Sequence, residues 1–257
     1  MGRATDDGAG AGVHTGEMHP DRGDAPPGPA DVTALLTAGL DADAAILGAL
    51  GTHGARRATP TSGPTMQARD DEGDAVDPLQ QFAALGPVLG GVVADIRPDQ
   101  LDTSTPCAGF TVRDVLAHMI VGATMFAAAY RGTAPPAPDV DDVLAGFAPA
   151  LGGLVDAVQA PGALERTIDA PFGAMDGESF ARYVVLDGLV HGWDLAVATG
   201  QPYDPPAELV DAADAYARGM LDPLRDGVTF AAAVEPPAGA TPLERLVAFT
   251  GRAPRPS

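Results

Sequence analysis

The 257-residue chain carries 35 acidic against 15 basic residues, a formal net charge of −20 at pH 7. That balance lacks the clustered cations on which binding to a phosphate backbone depends, so no nucleic-acid partner is expected. A single cysteine, Cys107, excludes an internal disulfide, a CxxC redox pair and a Cys-rich zinc site, which leaves histidine and carboxylate side chains to hold any metal.

Hydrophobic residues make up 46% of the chain, enough for a sizeable core. No uninterrupted apolar run approaches the roughly 20 residues that span a bilayer. The amino terminus, "MGRATDDGAGAGVHTGEMHPDRGD", resembles neither a signal peptide nor an acid-poor transit peptide. A cytoplasmic protein without a membrane partner is the expectation. Residues 1–30 contain eleven Gly or Pro, a density that breaks helical and strand patterns alike. Residues 1–75 therefore read as a mostly disordered, acidic, Gly/Pro-rich extension with one candidate short helix in "DVTALLTAGLDADAAILGAL". Met66 is a candidate alternative start. The His14 and His19 pair of "HTGEMH" has no convincing partner, and no metal is expected there.

From Asp77 the pattern becomes helical. Asp77 suits an N-cap and Pro78 the first helical position, followed by Leu79, Phe82, Leu85, Leu89, Val92, Val93 and Ile96 at three- and four-residue steps. Pro87 inside this run predicts a kink or a division, because proline removes one helical hydrogen bond and clashes with the preceding turn. "RPDQLDTSTPCAG" reads as a loop. A second helix has Thr111 at its N-cap, Asp114 completing a capping box, a Phe110–Val115 staple, and an end near Gly132. A third fits "DVDDVLAGFAPALGGLVDAVQ", again with an internal proline. A fourth begins near Glu178 and stops at Gly200. "PAELVDAADAYARGML" makes a fifth, and "TPLERLVAF" a short sixth with a Thr241–Glu244 capping signature and Gly251 ending it. "VTFAAAV" is ambiguous between a short strand and extended coil. No other strand series appears, so residues 76–254 predict an all-α helical bundle.

The fourth helix contains "LDGLVHGWDLAVATG", an apolar stretch carrying Asp187, His191 and Asp194. Positions four apart share a helix face, so Asp187 and His191 can aim at one ion, with Asp194 bordering that face. Burying an unpaired carboxylate costs several kcal/mol, so both acids need compensation. Two readings stand. In the first, Asp187 and His191 form a hydrogen-bonded pair and Asp194 is exposed or paired to Arg182 or Arg113. In the second, they are metal ligands and His118, in the middle of the second helix, is the third.

"TPCAGFTVRDVLAHM", "DGLVHGWDLAVATGQ" and "PLERLVAFTGRAP" together resemble the actinobacterial metal-binding relatives of mycothiol-dependent maleylpyruvate isomerase, within the DinB-like superfamily, over roughly residues 76–254. The resemblance implies a DinB-like four-helix bundle, here with additional short C-terminal helices. It implies a divalent metal, usually zinc, held by His118, Asp187 and His191; at such a site Asp194 would orient His191 or a neighbouring helix, as outer groups do at many metal sites. It further implies mycothiol or a similar low-molecular-weight thiol as cosubstrate and a small electrophile as substrate, in a transferase or isomerase reaction. The isomerase has glutamate where this chain has Asp187, and a second carboxy-terminal domain where this chain ends. Maleylpyruvate isomerisation itself is therefore not expected. The alternative is a non-catalytic bundle with a structural or partner-binding metal. Cys107 is expected to seat the loop before the second helix as a small apolar side chain.

Overall fold

The computed structural model describes residues 76–170, 173–222, 225 and 231–254. The extension over residues 1–75, with its candidate helix, lies outside them. Six helices carry the fold: α1 (Pro78–Ala94), α2 (Val112–Arg131), α3 (Val143–Val158), α4 (Gly177–Thr199), α5 (Ala207–Met220) and α6 (Pro242–Phe249). A two-stranded hairpin, β1 (Thr167–Ala170) with β2 (Gly173–Asp176), sits between α3 and α4. The architecture is all-α and DinB-like, as expected.

The helix ends follow from their capping chemistry. Asp77 accepts from the Leu79 amide at 2.9 Å, and Thr111 and Asp114 form the reciprocal box that opens α2. Gly132 and Gly200 end α2 and α4 in the left-handed conformation, at φ 66° and 71°, where a Cβ is disfavoured. Helix α3 starts at Val143 rather than near Asp139, because the Asp142 carboxylate accepts from the amides of Leu144 and Ala145 and caps the helix there. Pro87 does not divide α1, nor Pro149 α3. Both prolines face outward while Phe82, Leu85 and Leu89, and Phe147 and Leu154, bury the opposite stripes. That packing outweighs the ~3 kcal/mol a helical proline costs.

Helices α1 and α4 pack side by side, as do α2 and α3, and α2 also meets α4. Sixteen of the 23 residues of α4 are buried, which makes it the central helix, apolar nearly all round. Fully buried leucines such as Leu116 and Leu189 contribute about 1.5–3 kcal/mol each. Gly188 lets α1 come close, since a Cβ there would stand 3.0 Å from Leu85 Cδ2. Helix α2 has the length and hydropathy of a membrane span, and 61% of that stretch is buried inside the bundle.

The hairpin was not anticipated. It pairs Thr167 with Asp176 and Ile168 with Met175 in antiparallel register, and its strands are too short to display an alternating pattern. In "VTFAAAV", residues 228–230 lie outside the described set; Ala231–Val234 belongs to no helix or strand, and the Val234 amide donates to Ala248 O at 2.8 Å.

Candidate metal centre

Helix α4 presents Asp187 and His191 one turn apart, and α2, registered by its capping box, brings His118 opposite them. Asp187 Oδ1 lies 3.5 Å from His191 Nε2 and Asp187 Oδ2 lies 4.0 Å from His118 Nε2. The two imidazoles meet edge to face, 4.8 Å between centroids. One donor atom from each residue falls within 4.8 Å of the others. Both carboxylate contacts exceed the 2.7–3.2 Å of an N–H···O hydrogen bond. Donors about 2.0–2.2 Å from a tetrahedral zinc stand roughly 3.3–3.6 Å apart; the Asp187–His191 contact lies in that range and the Asp187–His118 contact somewhat beyond it, and the donor types are those a divalent ion takes. The two oxygens of Asp187 each face one of the two histidines. His118 Nδ1 is buried without a hydrogen-bond partner among the described residues, and Phe110 packs edge-on against its ring at 6.2 Å.

Asp194 has a different environment from either one expected for it. Arg182 binds Glu178 and Val76 O, and Arg113 faces Asp102. Asp194 is fully buried, with Oδ2 3.1 Å from His191 Nδ1 and 3.3 Å from Arg252 Nη2. Held at Nδ1, the His191 ring turns Nε2 toward Asp187, the arrangement that fixes ring orientation at many metal sites. Tyr203 completes this side. Its hydroxyl donates to Leu189 O at 2.9 Å, and burial, reinforced by the charge of Asp194, raises its phenol pKa well above the ordinary value. Gly192 makes room for it, because a Cβ there would run into the Tyr203 hydroxyl.

Arg252 and Tyr203 are the residues that sequence reasoning missed. The "FTGRAP" block contained a local signal for the first. Gly251, at φ 95°, ends α6 in a Schellman motif: its amide donates to Ala248 O and the Arg252 amide to Val247 O, both at 3.0 Å. That turn sends Arg252 back onto the bundle, but its target, 58 residues away in sequence, is visible only once the helices are packed.

Cys107 is half-buried in the loop before α2, where it packs against the core as expected. Arg252 Nη2 stands 3.8 Å from its sulfur. Cys107, His191 and Asp194 form a second set of donors within 4.8 Å. This set suits an ion poorly, since the Arg252 cation already lies against two of its three members and His191 Nδ1 is engaged by Asp194. Among the described residues, no arginine is recorded against His118 or Asp187. On its other side Asp187 borders an apolar cavity between the first four helices, walled by Phe82, Met119, Phe126 and Phe147.

Comparison with known proteins places the chain in a family. The family model for the mycothiol maleylpyruvate isomerase N-terminal domain matches residues 82–196, a span containing His118, Asp187, His191 and Asp194 but not Arg252. Two uncharacterized proteins of Mycobacterium tuberculosis, from strains CDC 1551 / Oshkosh and ATCC 25618 / H37Rv, are each 31% identical over 182 residues, covering 70% of this chain and 100% of each relative. No solved structure matches significantly. With the relatives aligned along their whole length and the family model running from α1 into α4, the chain belongs to the mycothiol maleylpyruvate isomerase N-terminal domain family.

Proposed function

We propose that this protein binds a divalent metal, zinc first, through His118, Asp187 and His191, and that it is a thiol-dependent enzyme of the transferase or isomerase type acting on a small electrophile. The observation that carries the metal reading is the convergence of two imidazole nitrogens on one carboxylate at 3.5 and 4.0 Å, too far for hydrogen bonds and suited to a shared ion. Three protein ligands with a fourth position left open is the pattern of catalytic rather than structural zinc. The family supports mycothiol, or a similar small thiol, as the cosubstrate.

When bound, the ion supplies Lewis acidity that brings the pKa of a thiol or water toward neutrality, making a nucleophile for an electrophilic carbon. The protein's own groups set the conditions. Asp194 accepts the His191 Nδ1 proton, so the ring keeps one tautomer with its Nε2 lone pair directed at the site. Asp187 contributes the negative charge that balances the cation. The apolar wall of Phe82, Met119, Phe126 and Phe147 beside Asp187 lowers the local polarity, which strengthens charge interactions there.

Metal analysis of the purified protein tests the reading. Stoichiometric metal in the wild type, lost from both His118→Ala and His191→Ala, is the expected result. Equal metal content in all three would sink it. A thermal-shift series with low-molecular-weight thiols tests the cosubstrate: a shift that needs metal is expected, and the same shift in metal-free protein would count against a metal-bound thiol.

A further inference from the structure

We infer that Arg252, from the segment after α6, is a positioning residue for the metal centre, acting through Asp194 on His191. The inference rests on the metal reading above and extends the site beyond the four helices that the family model covers. Asp194 is fully buried in the middle of α4, and a buried carboxylate is tolerated only when charged or hydrogen-bonding partners compensate it. Its Oδ2 has two partners at contact distance, His191 Nδ1 at 3.1 Å and Arg252 Nη2 at 3.3 Å, while its Oδ1 has none among the described residues. A single oxygen therefore joins the imidazole to the guanidinium, and the rotamer of Asp194 is held from both sides.

The chain prepares this contact at some cost. Gly251 adopts a left-handed φ of 95°, and a Cβ on it would stand 2.9 Å from Ala231 Cβ, so the turn that aims Arg252 demands glycine on two counts. The guanidinium side chain is 12% exposed, and it ties three separate segments together: the end of α6, the centre of α4 and, through Cys107 at 3.8 Å, the loop before α2. Docking of the C-terminal segment and orientation of the His191 ring are thus one event. Loss of the guanidinium frees Asp194 to rotate, and with it the ring whose Nε2 faces Asp187.

The test uses the full chain and three variants, Arg252→Gln, Arg252→Lys and Cys107→Ala, each measured for zinc affinity by chelator competition, for the visible spectrum of bound cobalt, and for apo-protein unfolding. Losing a group that orients a metal ligand weakens metal binding by about 10–100-fold, and that loss is expected for Arg252→Gln, with an altered cobalt spectrum. Arg252→Lys, which keeps the charge, is expected to recover part of the affinity. Cys107→Ala is expected to bind as the wild type does. Wild-type affinity and spectrum in Arg252→Gln would overturn the inference while leaving the metal reading intact. So would a variant that is merely less stable but binds zinc normally once folded. Failure of the wild-type chain itself to bind zinc would overturn the metal reading first, and this inference with it.

Discussion

Two aspartates on one helix, seven residues apart, have opposite surroundings. Asp194 is fully buried, with a histidine nitrogen and a guanidinium at contact distance. Asp187 is partly exposed at the edge of an apolar cavity, with two histidines drawn up to it and held just beyond hydrogen-bond reach. The same side chain on the same scaffold is a compensated buried anion in one place and, in the proposed function, a metal ligand in the other. What separates them is the recorded positive charge: Arg252 stands against Asp194, whereas among the described residues no arginine pairs with Asp187, where the proposed function puts an ion.

The largest test of this contrast is Asp194→Ala. Removing one member of a buried charge pair typically costs about 3–5 kcal/mol, because the remaining charge is left unpaired. A loss of that size in apo-protein stability is expected by urea titration, and a loss below ~1 kcal/mol would break the comparison. Gly192→Ala comes next, since its methyl group must displace the Tyr203 hydroxyl. Overpacking of this kind costs about 1–3 kcal/mol, measurable in the same titration; unchanged stability would mean that the tyrosine yields freely.

Tyr203 gives a smaller, pH-dependent effect. Its phenol pKa is raised above the ordinary value of 10.0 by burial first and the Asp194 charge second. A raised folded-state pKa means that the associated stability is fully present below pH 10.0 and declines as pH rises beyond it, because the unfolded phenol ionises first. Stability curves above that pH should therefore flatten in Tyr203→Phe relative to the wild type, and identical curves would count against the buried phenol. The smallest stability effect should come from Asp187→Asn. Because Asp187 stands beyond hydrogen-bond distance of both histidines, stability measured without added metal is expected to stay within about 0.5 kcal/mol while metal binding is lost.

Much of the fold could be read directly along the chain because helix termini are local. Asp77, the Thr111–Asp114 box, Gly132, Gly200 and the Thr241–Glu244 box each specify an end using residues a few positions apart. The proximity of Asp187 and His191 followed from helical periodicity, and His118 joined them through the motif resemblance. Asp194 was recognisable as needing a partner, but the partner was not. Arg182 and Arg113 were nearer in sequence or motif, yet each has an acid of its own within a turn or in the adjoining loop. Arg252 reaches Asp194 only because α6 folds back over the bundle and Gly251 turns the chain inward. The hairpin escaped for a related reason: four-residue strands stabilised mainly by pairing with each other carry little periodicity of their own.

X-ray absorption at the zinc edge, on full-length protein loaded with one equivalent of zinc in the absence of added thiol, tests the central claim most directly, since the two donor sets share His191 but only one contains sulfur. The account predicts a shell of nitrogen and oxygen donors at about 2.0–2.2 Å with imidazole outer-shell scattering. A sulfur donor at about 2.3 Å would assign the ion to Cys107 and contradict the account.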